Sequence, residues 1–331
     1  LTRLPFPRLY YAKQLSSLSS SNMPRRDIEF ETSDGVILRG WFYRSPDKKG
    51  KLPCLVMAHG FSALKEMDLD AFAEHFTSKL PLTCLVYDNR GFGASDAAQG
   101  QPRQEIVPSL QMSDYSDAIT YAQSLDDVDG SKIGIWGSSY SGGHVLQIGA
   151  ADKRVKAVLS QVPLVNGFEN FSRLVRSDQI PDMYHLWQED RISRMKGEEA
   201  RTVPIVTNQP QQPAALPTPD SYDFFTAWEK KSDWKNHVTV RSLELLRAHD
   251  PSHLIHRIAP TPLLMTVAAN DVLTPTDLAL EAYSRAREPK QLSVIPGGHF
   301  DAYRGVNFER NAGTQTDFLR ETLCVDVRDS S

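Results

Sequence analysis

The chain has 331 residues, of which 40% are hydrophobic and 24% charged, as in an ordinary water-soluble globular protein with a substantial core. Its net charge of −4 gives no reason to expect nucleic acid or an anionic membrane as a partner. No apolar run reaches the roughly 18 residues of a membrane-spanning helix. Cys54 and Cys84 lie in short apolar runs, so we expect buried thiols in a reducing compartment. The three cysteines lack the spacing of a metal site, and we expect neither metal nor cofactor.

Residues 1–25 differ in composition from the rest of the chain. The first 26 residues contain five basic residues and no acid, with a serine-rich stretch at 16–21. Such a composition resembles an organellar transit peptide, but the chain starts with Leu and Met23 directly precedes the first patterned segment. We therefore expect residues 1–25 to be a leader or a disordered tail of a cytoplasmic protein; a genuine transit peptide at 1–22 would make it mitochondrial.

From residue 26 onward, short apolar runs alternate with segments of helical periodicity. Residues 27–32 and 36–44 flank an Asp-Gly turn, which is typical of a β-hairpin. The later runs are almost continuously apolar, as in strands covered on both faces, and their alternation with helices predicts a parallel sheet with right-handed crossovers. We expect strands at 52–58, 82–87, 132–136, 155–161, 262–268 and 291–295, and helices at 67–80, 110–125, 141–150, 276–287 and 308–323.

This alternation stops between residues 163 and 257. The segment is rich in aromatic and charged residues, has no strand of the same quality, and contains a proline-rich stretch at 209–217 that is typical of a loop. We therefore predict a doubly wound α/β core formed by residues 26–162 and 258–325, with a mostly helical cap, residues 163–257, inserted into it.

The segment at 137–142, Gly-Ser-Ser-Tyr-Ser-Gly, follows a predicted strand and precedes a predicted helix. A nucleophile on such a sharp strand-to-helix turn needs small residues two positions before and after it. Gly137 meets this requirement for Ser139, and Ser141 meets it approximately. We predict Ser139 as the nucleophile. Ser141, followed two residues later by Gly143, is the rival, but it would lie deeper in the helix.

An acid and a histidine follow the last two predicted strands. Asp271 comes shortly after one strand, and His299 lies on a glycine-containing loop after the next. Ligands bind where the carboxyl ends of parallel strands meet, and nucleophile, acid, histidine is the chain order of a serine triad on this kind of sheet. We predict that His299 takes the proton from Ser139 and that Asp271 orients His299. Asp277 is a weaker rival because it falls inside a helix.

The sequence His59-Gly60-Phe61 ends a buried strand. In a serine hydrolase of this topology, the loop there donates one backbone N–H to the oxyanion, and the residue after the nucleophile donates the other. We therefore predict the N–H groups of Phe61 and Tyr140 as the oxyanion donors. His59 is interpreted as a residue that fixes the loop, His144 as one that packs beneath the nucleophile, and the remaining histidines as residues without partners.

The sequence resembles the α/β-hydrolase superfamily over about residues 25–325, through His59-Gly60-Phe61, Asp88-x-Arg90-Gly91-x-Gly93-x-Ser95, the nucleophile segment, Asp271 and His299. The detail Gly-x-Ser-Tyr-x-Gly at 137–142 is similar to the branch that holds X-prolyl dipeptidyl peptidases and cocaine-esterase-like acyl hydrolases. The opening at 26–41 resembles small members of that branch, including fungal polyketide transferases and hydrolases of secondary metabolism. The resemblance implies acyl transfer, with the family's triad at Ser139, Asp271 and His299. Ser141, where many hydrolases have Gly, is the main departure.

Three functions remain after this reading. The first is an esterase, thioesterase or acyltransferase acting on a small-molecule ester or thioester, free or bound to an acyl carrier; the aromatic cap suits an apolar acyl chain. The second is a prolyl peptidase, although the large enzymes of that kind carry a β domain after the histidine and only 32 residues follow His299 here. The third is a non-catalytic binding protein on the same fold. The acyl group, the acceptor and the oligomeric state do not follow from the sequence.

Overall fold

A computed structural model describes residues 25–46, 48–209 and 212–324 of the chain. The segment predicted as a leader or tail therefore lies outside the described residues, apart from Arg25, which begins the first strand. In the described ranges, no helix is both long enough and apolar enough to cross a membrane.

The described chain contains one large and one very small sheet. Eight strands form the large sheet, in which the first hairpin and its neighbour are antiparallel and all other neighbours are parallel. The strands are β1 (Arg25–Glu31), β2 (Ile37–Arg44), β3 (Leu52–Ala58), β4 (Thr83–Tyr87), β5 (Val128–Ser138), β6 (Val155–Gln161), β7 (Thr202–Val203), β8 (Val238–Thr239), β9 (Leu263–Ala268) and β10 (Lys290–Ile295). The order in the large sheet is β1-β2-β4-β3-β5-β6-β9-β10, and β7 pairs with β8.

Helices cover both faces of the large sheet and build the segment between β6 and β9. They are α1 (Leu69–Lys79), α2 (Pro108–Ser124), α3 (Tyr140–Ala151), α4 (Gly167–Leu174), α5 (Ile180–Met195), α6 (Pro219–Trp228), α7 (Val240–Arg247), α8 (Thr276–Arg285) and α9 (Gly305–Thr322). Two further turns, Pro251–Arg257 and His299–Tyr303, are 3-10 helices. The predicted fold class, a doubly wound and mostly parallel α/β sheet, is confirmed.

Two apolar clusters form the core, one on each face of the sheet. Leu55 and Met57 of β3 enter the cluster that also holds α1 side chains such as Phe72. Val56, between them, enters the cluster with α2 side chains such as Ala118. Because successive side chains of a strand point to opposite faces, a strand buried on both faces must be apolar at every position. This requirement explains why the central strands read as continuous apolar runs.

The observed elements differ from the predicted ones mainly at their ends. Strand β5 begins at Val128, which pairs with Leu52 of β3, rather than at residue 132. Residues 129–132 are polar or glycine, so the sequence shows no apolar run there. Helix α9 begins at Gly305, three residues before the predicted start. Between residues 163 and 257, where no strand of the quality of the core strands is expected, two short strands, β7 and β8, pair with each other. Two-residue strands are too short to leave a period in the sequence.

The turn Pro251–Arg257, which we placed in the cap from sequence, packs against the core instead. The backbone N–H of Ser252 donates to the carbonyl of Val165 at 3.3 Å, and its hydroxyl accepts from Arg285 of α8 at 2.8 Å. We therefore propose that the inserted segment ends near Asp250 and that α4 to α7, with β7 and β8, form the cap.

Candidate active site

Ser139 lies at the sharp turn between β5 and α3. Its backbone has φ 59° and ψ −116°, a conformation that is rare for residues other than glycine. The turn is fixed by three backbone hydrogen bonds: the Ser139 N–H donates to Gln161 at 2.8 Å, and its carbonyl accepts from Leu164 at 2.9 Å and Gly143 at 3.1 Å. The end of β6 therefore holds the strained residue in place, as expected for strain at a functional site.

The small residues around Ser139 are required by close backbone contacts. A Cβ atom on Gly137 would lie 2.1 Å from the carbonyl oxygen of Ser141. Ser141 itself is fully buried, and its hydroxyl donates to the carbonyl of His59. Ser141 thus fits where many hydrolases have Gly, and its hydroxyl holds the loop after β3 rather than contacting a base.

Ser139, His299 and Asp271 form a continuous hydrogen-bond chain. His299 Nε2 lies 3.0 Å from Ser139 Oγ, and His299 Nδ1 lies 2.7 Å from Asp271 Oδ2. His299 is 1% exposed and Asp271 5% exposed. Since a carboxylate only accepts, the network assigns the proton to Nδ1 and leaves Nε2 free to accept from the serine hydroxyl. The structure thus brings together the three residues predicted as nucleophile, base and acid.

Asp271 is held by more than the histidine. Its Oδ1 accepts from the backbone N–H groups of Leu273 at 2.9 Å and Thr274 at 2.8 Å, and its Oδ2 accepts from the Thr274 hydroxyl at 2.9 Å. The same hydroxyl lies 3.1 Å from His299 Nδ1. Thr274 was missed in the sequence, because a threonine in a loop gives no signal of this contact. Asp277, the rival acid, is instead on the surface and pairs with Arg173 at 2.6 Å.

The loop after β3 lies directly against the nucleophile. A Cβ on Gly60 would be 2.7 Å from Ser139 Cβ, so a side chain there would displace the serine. The N–H of Phe61 donates to no acceptor among the described residues. Tyr140 is the first residue of α3, where an N–H has no partner within the helix. Phe61, Tyr140 and Ser139 line one cavity, but the assignment of the two N–H groups as oxyanion donors stays a prediction.

His59 connects this loop to the segment before α1. Its Nδ1 accepts from the Gly60 N–H at 2.8 Å, so Nε2 carries the proton and donates to the carbonyl of Met67, also at 2.8 Å. Burial lowers the pKa of His59 to about 4, which keeps the ring neutral. These contacts agree with the interpretation that His59 fixes the loop.

The expectation that the other histidines lack partners is wrong for two of them. His249 Nε2 lies 3.2 Å from Nδ1 of His144, the residue expected beneath the nucleophile, and His144 Nε2 lies 3.1 Å from the Gln111 side chain. Burial lowers the pKa of both rings, to about 4 for His249 and well below its usual value for His144. On the surface, His185 pairs with Glu189 at 3.1 Å. Sequence spacing could not reveal the first contact because 105 positions separate the two rings.

A buried polar network beneath the nucleophile was also missed. The side chain of Gln161 donates to Ser138 Oγ at 3.1 Å and accepts from Asn311 at 2.7 Å and Gln315 at 2.8 Å. Gln315 in turn accepts from the Trp136 indole at 2.7 Å. Because every member has a partner, this network fixes the ends of β5 and β6 against α9.

A cavity of about 460 Å³ opens beside Ser139, between the core and the cap. Its cap wall comes from α4, α5 and α7 and from residues 212–219; the described wall contains two arginines and no carboxylate. Of the cap aromatics, Phe171 lines the cavity, whereas Phe224 stacks on Phe300 at 4.4 Å beside His299. The site is therefore a largely apolar compartment that ends at a hydrogen-bonded serine.

The described residues offer no place for a metal ion: nowhere in them do three or more His, Cys, Asp or Glu side chains converge as ligands. Ser139, His299 and Asp271 are instead hydrogen-bonded to one another, in an arrangement suited to proton transfer between a hydroxyl and an imidazole.

Comparisons with known proteins give consistent results. The family model described as X-Pro dipeptidyl-peptidase (S15 family) matches residues 34–301. A thiohydrolase of Eupenicillium brefeldianum is 31% identical over 90% of this chain and 94% of its own length. The polyketide transferase grgF of Penicillium sp. is 32% identical over 92% of this chain and 99% of its own. The crystal structure of the α/β hydrolase GrgF from Penicillium sp. sh18 superposes with a TM-score of 0.79 at 31% identity, covering 92% of this chain and all of that one.

Proposed function

This chain belongs to the S15 family of X-Pro dipeptidyl-peptidases, and we propose that within this family it transfers the acyl group of a thioester or ester to water or to an alcohol. It is an enzyme of the hydrolase and acyltransferase class. The observation that carries the proposal is the chain of hydrogen bonds from Ser139 through His299 to Asp271 at the wall of an apolar cavity.

The proposed reaction begins with attack of Ser139 Oγ on the substrate carbonyl. His299 Nε2 takes the serine proton, and the Asp271 carboxylate stabilises the resulting imidazolium through Nδ1. The negative charge on the carbonyl oxygen would be held by the N–H groups of Phe61 and Tyr140, each worth about 3 kcal/mol in the transition state. Collapse of this intermediate releases the thiol or alcohol, which takes the proton back from His299.

The second half of the reaction repeats these steps with a new nucleophile. Water or an acceptor alcohol gives its proton to His299 Nε2 and attacks the acyl-serine, and Ser139 leaves with that proton. Which acceptor reacts depends on how well the cap excludes water from the cavity. The thiohydrolase and polyketide transferase names of the relatives support a thioester as acyl donor.

The cavity wall favours an acyl substrate over a peptide with a free amino terminus. A dipeptidyl peptidase must neutralise the ammonium group of its substrate, and a carboxylate is the group suited to do so. The described lining of this cavity has no Asp or Glu and has two arginines, Arg173 and Arg176. Both arginines are already paired with acids outside the lining, Asp277 and Asp178, so the described wall offers a cation no carboxylate of its own. An apolar acyl chain, by contrast, would meet side chains such as Leu174 and Met183.

The proposal is tested with acyl thioesters and p-nitrophenyl esters of increasing chain length. The unmodified protein is expected to hydrolyse members of this panel, and Ser139→Ala is expected to lose at least about 10⁴-fold in kcat. Ser141→Ala is the matched control and should retain most of the activity. Equal activity of the unmodified protein and Ser139→Ala would refute the mechanism. Activity that is lost in Ser141→Ala but kept in Ser139→Ala would assign the nucleophile to Ser141 instead. Added alcohols then separate transfer from hydrolysis by the products formed.

A further inference from the structure

Asn170 lies in the wall of the cavity that holds Ser139, and its side chain has no hydrogen-bond partner among the described residues. The residue is 4% exposed, and its backbone N–H donates to Asn166 at 3.0 Å. Its carboxamide makes no hydrogen bond to any residue in the described ranges. The two polar atoms of the Asn170 amide are not completely buried, so each keeps some accessible surface. Because Asn170 lines the cavity, this surface faces the cavity.

The other buried polar side chains that line this cavity differ from Asn170. The hydroxyl of Thr218 bonds to that of Ser221 at 2.6 Å, and the hydroxyl of Thr274 bonds to Asp271. The Tyr140 hydroxyl also has no partner in the described part of the chain, but it is fully buried and so offers no accessible surface to a ligand. Asn170 therefore presents an unused donor and acceptor to whatever fills the cavity.

The helix that carries Asn170 is held in a fixed position. The side chain of Asn166 caps α4 by accepting from the Glu169 N–H at 3.0 Å. The Gly167 N–H donates to His249 at 2.8 Å, and a Cβ on Gly167 would lie 1.9 Å from the carbonyl oxygen of Leu246. Because the start of α4 contacts the end of α7 and the residues after it so closely, α4 has little room to shift toward them, and these contacts help to fix Asn170 in the cavity wall.

An apolar residue at position 170 would suit a purely hydrocarbon ligand better. Asn170 shares its side of α4 with Phe171 and Leu174, which also line the cavity. Asn is a poor residue for a helix interior, and a buried amide without a partner is unfavourable. A ligand that supplies the partner removes this cost, and a site built to bond such a group discriminates strongly against a ligand that lacks it.

We propose that Asn170 is a specificity-determining residue that hydrogen-bonds an oxygen substituent, oxo or hydroxy, on the acyl chain of the substrate. A carboxamide can donate to a ketone oxygen or accept from a hydroxyl. This inference rests on the proposed function and deepens it, because it selects oxygenated acyl chains over saturated ones.

The test compares thioesters of one small thiol with acyl chains of equal length. One member is saturated, and the others carry a single oxo or hydroxy group at successive positions. For the unmodified protein, we expect kcat/KM for the oxygenated chain to exceed that for the saturated chain by at least about 10-fold at one position. Asn170→Leu, whose side chain has the same number and branching of heavy atoms, should bring this ratio close to one, and Asn170→Ala should do the same. Ser172→Ala, on the exposed side of α4, is the control and should keep the ratio.

The outcomes separate this inference from the proposed function. Labelling of Ser139 by a fluorophosphonate, measured on every variant, reports whether the nucleophile is intact. Labelling and turnover without preference for any oxygenated chain would overturn the role of Asn170 and leave acyl transfer standing, as would a preference that persists in both Asn170 variants. Absence of both labelling and turnover in the unmodified protein would overturn the proposed function and, with it, this inference.

Discussion

The core and the cap hold their side chains of the site in different ways. Asp271, on the core, is fixed by two backbone N–H groups, a hydroxyl and a ring nitrogen. Asn170, on the cap, has no side-chain partner among the described residues, although its helix is firmly placed. The polar side chains of the triad on the core thus hydrogen-bond to protein groups, whereas Asn170 on the cap is left to bond to the ligand. We therefore propose that the core carries out the chemistry and that the cap chooses the substrate.

Removing the acid from the core should have the largest effect. Asp271→Asn is expected to lower kcat about 10⁴-fold, because an amide can donate to His299 Nδ1 and so favour the wrong tautomer. The measurement is steady-state hydrolysis of the best ester or thioester from the panel. Asp277→Asn is the matched control, an exposed acid on α8, and should change kcat less than about 3-fold. If the Asp277 variant were the more damaged, the assignment of the acid would be wrong.

His249 is buried where the cap meets the core, and its burial should make stability depend on pH. Burial lowers the pKa of His249 to about 4, so the unfolded chain binds a proton near pH 6.5 that the folded chain does not. His249 therefore contributes stability that is complete at neutral pH and is lost as the pH falls from about 6.5 towards 4.

Urea unfolding at pH 7 and pH 5 measures this contribution. His249→Gln keeps a polar side chain but does not titrate. Between these two pH values, the free energy of unfolding of the unmodified protein should fall by about 2 kcal/mol more than that of the variant. His253→Gln, an exposed neighbour in the following turn, is the control and should follow the unmodified protein. Parallel curves for the unmodified protein and His249→Gln would contradict the lowered pKa.

Filling the cap side of the cavity should change the choice of substrate more than the chemistry. Met183→Trp places a larger side chain in the wall formed by α5, and we expect about a 10-fold loss of kcat/KM for a long acyl chain. An acetyl ester, which does not extend along the cap, should be hydrolysed nearly as before. The ratio of the two rates is the measurement, with Met195→Trp on the exposed end of the same helix as control. An equal loss of kcat/KM for both esters would show that position 183 affects the reaction itself rather than the choice of acyl chain.

Much of the core was predictable because its constraints are local and repeated. A strand covered on both faces is largely apolar, so the apolar runs within 52–58 and 155–161 predicted β3 and β6 with their observed bounds. The order of serine, acid and histidine at strand ends predicted three residues that the structure brings within hydrogen-bond distance. Each of these signals survives in sequence because the sheet imposes it position by position.

The contacts that the sequence did not predict join residues of separate elements, whose spacing along the chain follows no helical or strand period. Gln161 reaches Gln315, His144 reaches His249, and Thr274 reaches His299 only because separate elements pack together. The pairing of β7 with β8 could not be predicted either, because a strand of two residues shows no hydrophobic period in the sequence.

The sequence by itself determined the class of fold and the three residues of the proposed triad, because burial on both faces of a sheet and a strained turn restrict which residues can occur. Only the tertiary structure decided that Ser141 contacts the His59 carbonyl rather than a base, and that Asp277 lies on the surface. It alone decided that a cap residue, Asn170, faces the nucleophile's cavity without a partner in the described chain. A hydrogen bond depends on the positions of both partners, and packing of distant elements sets those positions.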